Sequence, residues 1–339
     1  MNTLNPSQIQ QLKAFSECYI EHPNVKKILA DFDDLRESRY FHSDIQSMLI
    51  TGDTGVGKSH LINHYKKRVL ALQETSKERV PILETRISSH KGLDNTLIQI
   101  LSDLDLFGSD QRASRKYKLD LKQKAVNSLI KAEVELLIIN EFQELIEFKT
   151  VQERQIIANA LKFISEEAKV PIVLVGMPWA IEIADEPQWS SRLVRRHNID
   201  YFNLQEGKRY YLQYLKSLAK QMPFDIAPKL ELAHTAIALY AISNGVNRTL
   251  KHFLLESVKL ALLDGSKDLD NKYFIATYNK LFTANHRNKN SINPFTQKVK
   301  DIKISTLEKG STYNSSALNE NEMITSPIFS TPTPIKQIY

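Results

Sequence analysis

Cysteine is nearly absent: Cys18 stands alone in 339 residues. An internal disulfide is therefore excluded, and a reducing compartment fits. Cys18 falls in an apolar-periodic stretch, where a thiol acts as a small packing residue. Long apolar runs are absent too: none approaches the ~18–20 residues of a membrane span. The first twenty residues lack the basic-then-apolar plan of a signal peptide. A cytoplasmic protein without a membrane partner is expected. The nine histidines are scattered, with no His/Cys spacing of a metal site and no Ser–His–Asp arrangement. What remains is ordinary globular material, 42% hydrophobic and 25% charged, enough for two compact domains. The net charge of +6 leans toward polyanions, although simple solubility explains such a balance equally well.

Apolar periodicity divides the chain. Residues 1–45 read as a helical lead-in, broken at His22-Pro23. From 46 to 204, short apolar runs alternate with helical stretches. The strand candidates are Ser47–Ile50, Val80–Ile87, Leu136–Ile139, Val170–Val175 and, last, Ile199–Leu204. Strands alternating with helices indicate βαβ units, hence an α/β fold with a parallel sheet between helices. Residues 205–285 read as four helices without a strand, a small all-helical lid. From 286 to 339 the chain is polar and rich in Asn, Ser, Thr, Lys and Pro, so a mobile tail is expected.

The segment Gly52-Asp53-Thr54-Gly55-Val56-Gly57-Lys58-Ser59 matches G-x-x-x-x-G-K-[ST] in full. Its glycines let the backbone curl so that N–H groups point at phosphate oxygens, and the following helix adds its positive end. Lys58 supplies a point charge for the β/γ-phosphates, Ser59 a hydroxyl for Mg²⁺, and His60 follows directly. ATP with Mg²⁺ is the expected ligand.

A second polar strand end follows at Val134-Glu135-Leu136-Leu137-Ile138-Ile139-Asn140-Glu141. Asn140 takes the place usually held by the Asp that orients magnesium, keeping an acceptor oxygen but losing the charge. Glu141 is placed to polarise the attacking water. Met177, after the run Val173–Gly176, occupies a position where such ATPases carry a polar γ-phosphate sensor. Together with Asn140 it suggests slow hydrolysis. Ser191-Arg192-Leu193-Val194-Arg195-Arg196-His197 is a basic cluster. Arg192 first and Arg195 second are candidates to reach a neighbour's γ-phosphate; a solvated or DNA-facing basic surface is the alternative. Asn244-Gly245-Val246-Asn247-Arg248 reads as a turn and a helix start, with Asn247 as cap and Arg248 able to reach back to nucleotide, or else to form a structural salt bridge.

Together these residues resemble an AAA+ ATPase, and within that class the TniB/TnsC-type transposition regulators, over roughly residues 15–285. The narrower resemblance rests on Tyr19-Ile20-Glu21-His22-Pro23, Ile50-Thr51-Gly52, Leu137–Gln143, Val173–Pro178 and the cluster near Arg192. It implies ATP-bound subunits assembling on duplex DNA into rings or filaments, with about six or seven subunits per turn. Such assemblies recruit transposase and are placed by a TniQ-type target-selection protein. It also implies DNA contacts from Ser88–Gly92, with Lys91, and from Gln111–Lys118, with Arg112, Arg115, Lys116 and Lys118, pairing with phosphates. A helicase-loader-like ATPase and an ATP-bound scaffold with little turnover are the alternatives.

Overall fold

The computed structural model describes residues 3–41, 44–72, 79–87, 92–104, 121–283, 292–319 and 322–335. Two helices lead in. α1 (Pro6–Glu17) starts at a capping box in which Asn5 and Gln8 exchange bonds, and α2 (Pro23–Ser38) starts at His22, whose ring accepts the Val25 N–H. The helices divide the lead-in between two cores. Phe15 of α1 packs in the lid, whereas Val25, Ile28, Leu29, Phe32 and Leu35 of α2 pack on the sheet. Burying each of those five is worth about 1.5–3 kcal/mol.

The sheet is built from β1 (Ser47–Gly52), β2 (Ile82–Arg86), β3 (Leu136–Asn140), β4 (Ile172–Gly176) and β5 (Leu193–Ile199), all parallel, in the order β2-β3-β4-β1-β5. Alternate residues face opposite cores. Met48, Ile50, Leu136, Ile138, Val173 and Val175 meet α2 and α3 (Lys58–Leu72). Leu49, Leu137, Ile139 and Leu174 meet α4 (Leu93–Asp103), α5 (Leu121–Lys131) and α7 (Val151–Ala168). Two short helices, α6 (Gln143–Ile146) and α8 (Pro187–Ser190), lie in the connections after β3 and β4. Burial on both faces is why the central strands read as unbroken apolar runs.

The last strand lies earlier than expected. Ile199–Leu204 is not a strand; β5 spans the basic cluster instead, and Phe202 and Leu204 pack in the lid. β5 is an edge strand whose residues alternate in exposure, so Arg195 and His197 sit within it without breaking it.

The lid comprises α9 (Lys208–Ala219), α10 (Ala233–Ser243), α11 (Asn247–Leu263) and α12 (Asn271–Tyr278). The described tail residues, 292–319 and 322–335, form a clasp. Phe295, Ile302, Ile304 and Ile335 are buried in the lid core, and Phe295 stacks on Phe253 with ring centroids 5.4 Å apart. β6 (Lys303–Ile304) pairs antiparallel with β11 (Thr333–Pro334), so both ends of the clasp are held on the lid. Between them run two antiparallel pairs. β7 (Leu307–Lys309) pairs with β10 (Ile328–Phe329), and β8 (Thr312–Tyr313) pairs with β9 (Ile324–Thr325). This middle part crosses to the sheet: Tyr313 stacks on Trp179 and meets Phe148 edge-on, and the Phe148 N–H donates to its hydroxyl at 2.8 Å. A few spaced apolar anchors hold a segment whose average composition is polar.

Candidate nucleotide site

The phosphate loop leaves β1 between β4 and β5, at the strand ends of the sheet. Gly55 (φ +81°) and Gly57 (φ +112°) hold the left-handed turns of the curl. A side chain on Gly55 would also lie 2.9 Å from Val246 of the lid. The Lys58 ammonium donates to the Gly52 and Asp53 carbonyls at 2.6 and 3.1 Å. Burial pulls its pKa down to about 8, opposed by the carboxylates of Glu141 and Asp53 and reinforced by Arg248. The Tyr201 hydroxyl donates to the Thr54 carbonyl at 2.9 Å, clamping the loop from beyond β5.

The lid closes the other side. The cap of α11 is Val246, without a side-chain bond. Asn247 is therefore not the cap expected from its residue type; its side-chain oxygen instead accepts from the Tyr214 hydroxyl at 2.7 Å. The Arg248 N–H donates to the Gly55 carbonyl at 3.0 Å, joining the first turn of α11 to the loop.

Between core and lid lies a cleft of about 270 Å³ lined by loop residues Thr54, Gly55, Gly57, Lys58, Ser59 and His60 together with Glu141, Met177, Asn247 and Arg248. The remaining loop residues, Gly52, Asp53 and Val56, do not line it; Val56 lines the adjoining narrow cavity, and Asp53 faces the clasp at Ser311. Four lining residues were not singled out by sequence: Ser16 of α1, Lys251 and His252 one turn beyond Arg248, and Leu255. The Lys251 ammonium donates to the Cys18 carbonyl at 2.6 Å. The cleft continues into a narrow cavity under Tyr19, Ile20 and His22 that shares Gly57, His60, Asn247 and Lys251. Burial, then Lys251 and Arg248, lower the His60 pKa. Cations outnumber carboxylates along the cleft, as a polyanion requires.

Glu141 follows β3 with φ +58°, a left-handed conformation that costs a non-glycine residue about 1–2 kcal/mol. Asn140 is buried behind it and does not line the cleft. Its side-chain oxygen accepts the Glu141 N–H at 3.0 Å, and its amide donates to Glu84 at 3.1 Å. An aspartate there would face the Glu84 carboxylate directly, a like-charge contact that asparagine avoids. Glu84 also takes Lys66 at 3.1 Å.

Arg192 and Arg195 lie at the opposite end of the sheet. The Arg192 carbonyl accepts from Ser47 at the start of β1. Arg192 pairs with Glu166, and Arg195 with Asp31 at 3.2 Å and Asp34 at 3.7 Å. Arg192 lies beside Ser47 and Arg195 is paired with Met48, so about 16 and 13 Å of β1, at ~3.3 Å per residue, separate them from the phosphate loop of their own chain. Lys91, Arg112, Arg115, Lys116 and Lys118 lie outside the described residues. Among the described residues no group of three His, Cys, Asp or Glu could hold a metal, and no helix is long and apolar enough to cross a membrane.

A parallel sheet in the order β2-β3-β4-β1-β5, a phosphate loop after β1 and a helical lid over it define an ATPase of the AAA+ fold. Solved structures bear out the fold. The ORC2 protein of Aeropyrum pernix in ADPNP–ADP complexes aligns with a TM-score of 0.56 at 17% identity, over 78% of this chain and 70% of that one. CDC6P from Pyrobaculum aerophilum aligns at 0.55 and 15%, over 79% and 70%. The A. pernix ORC1 protein in complex with DNA aligns at 0.55 and 14%, over 78% and 67%. No curated protein matches the sequence. Residues 9–201 match the family model described as Bacterial TniB protein. The chain belongs to the TniB family.

Proposed function

We propose that this ATPase is an ATP-dependent, DNA-binding regulator of DNA transposition. It oligomerises on duplex target DNA and bridges a TniQ-type target-selection protein to the transposase. The observation that carries the reading is that the segment matched by the TniB family contains the whole phosphate loop, Glu141 and Arg192. The cleft supports the chemistry. Loop N–H groups, Lys58 and Arg248 bind and orient the triphosphate. Glu141 takes the proton of the attacking water, whose oxygen bonds to the γ-phosphorus as the bond to the β-bridging oxygen breaks. A magnesium ion would neutralise phosphate charge. Ser59, at the cleft wall, has the donor chemistry to hold it, while buried Asn140 fits a supporting position behind Glu141. The distance of Arg192 and Arg195 from their own loop suits a role at a neighbour's γ-phosphate.

Electron microscopy of the protein on duplex DNA, with and without ATP, tests the reading. Rings or filaments that encircle the duplex only with ATP are expected, and hydrolysis then limits their lifetime. A monomer that engages single strands or a helicase would favour the loader. ATP-dependent assembly with no measurable turnover would favour the scaffold, consistent with Met177 at the sensor position.

A further inference from the structure

The end of β4 carries no polar side chain toward the cleft, because Met177 stands there. The structure nevertheless links β4 to Glu141 through hydrogen bonds. Gln143, in the first turn of α6 and only 4% exposed, accepts the Met177 N–H on its side-chain oxygen at 3.0 Å. Its amide nitrogen donates to the Glu141 carboxylate at 2.9 Å. The orientation of the carboxamide follows from chemistry. A backbone N–H can only donate, so the oxygen must face Met177, which leaves the NH₂ toward the carboxylate. Gly176 makes the room, for a Cβ there would lie 2.8 Å from the Gln143 oxygen and 2.9 Å from Ala180. Burial and two strong partners fix the carboxamide in one place.

We infer that Gln143 is a positioning residue for ATP hydrolysis, which sets the Glu141 carboxylate relative to the end of β4 and supplies the polar link that Met177 lacks. This rests on Glu141 acting as the general base. A carboxylate on a left-handed residue beside an open cleft has several rotamers within reach. One donated bond from a buried amide selects among them. Any movement of the β4 end on nucleotide binding is passed to the base through the same two bonds.

A double-mutant cycle tests the inference, with steady-state and single-turnover ATP hydrolysis as readouts. Gln143→Met keeps the volume and removes both bonds. It is expected to lower kcat about tenfold, with KM and the affinity for a fluorescent ATP analogue unchanged. In a Glu141→Gln background the same change should lower the rate less than about twofold, because its effect runs through the carboxylate. Gln143→Glu, which keeps the acceptor for Met177 and loses the donor, should match the Met variant and serves if that one fails to bind nucleotide. An unchanged kcat in the Gln143 variants, or an equal fall in both backgrounds, overturns the inference. An unchanged rate in Glu141→Gln alone removes the general base itself, a separate failure.

Discussion

Lys58 sits where two opposing demands meet. A charge is needed for phosphate, yet the ammonium is buried among loop carbonyls and shares the cleft with Arg248. Burial first, and Arg248 in addition, bring its pKa to about 8 despite Glu141 and Asp53. The triphosphate binds the protonated form. Affinity is therefore highest below about pH 8 and falls as pH rises through it, by up to about tenfold per pH unit until the pKa of the complex is reached. Titrating an ATP analogue from about pH 7 to about pH 9.5 checks this, and Lys58→Arg, which stays charged, should give a flatter profile. A flat profile for the native protein would contradict the assignment. Asn140 illustrates the same economy of charge. Its neutrality is matched to Glu84, 3.1 Å away, so the negative charge moves one strand over without leaving the neighbourhood.

At the level of elements, the clasp ties the lid to the strand ends. Its middle rests on the loop itself: the Ser311 N–H donates to the Asp53 carboxylate at 3.2 Å, and Tyr201 meets Phe329 with ring centroids 6.0 Å apart. Tyr313→Ala removes the contacts with Trp179 and Phe148 and one hydrogen bond, together about 1–2 kcal/mol. Limited proteolysis between 306 and 334 should quicken several-fold while the melting of the body changes little. An equal cleavage rate would show that Tyr313 does not hold the clasp. Local patterns announced much of this architecture. The spacing of Gly52, Gly55, Gly57 and Lys58 is a contiguous motif, and Leu136–Ile139 shows its double burial as an apolar run. Other features depend on partners distant in sequence. The clasp rests on Phe295 meeting Phe253 and Ser311 meeting Asp53, pairings that a polar average conceals. β5 escaped notice because an edge strand tolerates arginines at alternate positions, while Ile199–Leu204 is apolar for the sake of the lid. Lys251 reads as one more lysine of a helix face until α11 is laid over Cys18. The Gln143 bond to the Met177 N–H joins residues 34 apart.

For the whole molecule, the proposed function makes the two ends of the sheet complementary halves of one site. The phosphate loop, Glu141 and Arg248 lie at the strand ends, whereas Arg192 and Arg195 lie at the strand starts, held by Glu166, Asp31 and Asp34. Head-to-tail stacking of protomers would bring one half to the other and repeat without limit or close into a ring. In that arrangement nucleotide becomes part of the contact between subunits, and DNA binding by many copies becomes conditional on ATP. On the proposed reading, the net charge of +6 would contribute a sequence-independent attraction to the duplex. The most direct measurement is the affinity for a fluorescent duplex, by anisotropy, with ATP, with ADP and without nucleotide, for the native chain and for Lys58→Ala. Tight, salt-sensitive binding with ATP alone, abolished in Lys58→Ala, is the expected result. Equal affinity in all three nucleotide states, or full ATP-dependent binding by Lys58→Ala, would contradict nucleotide control of DNA assembly.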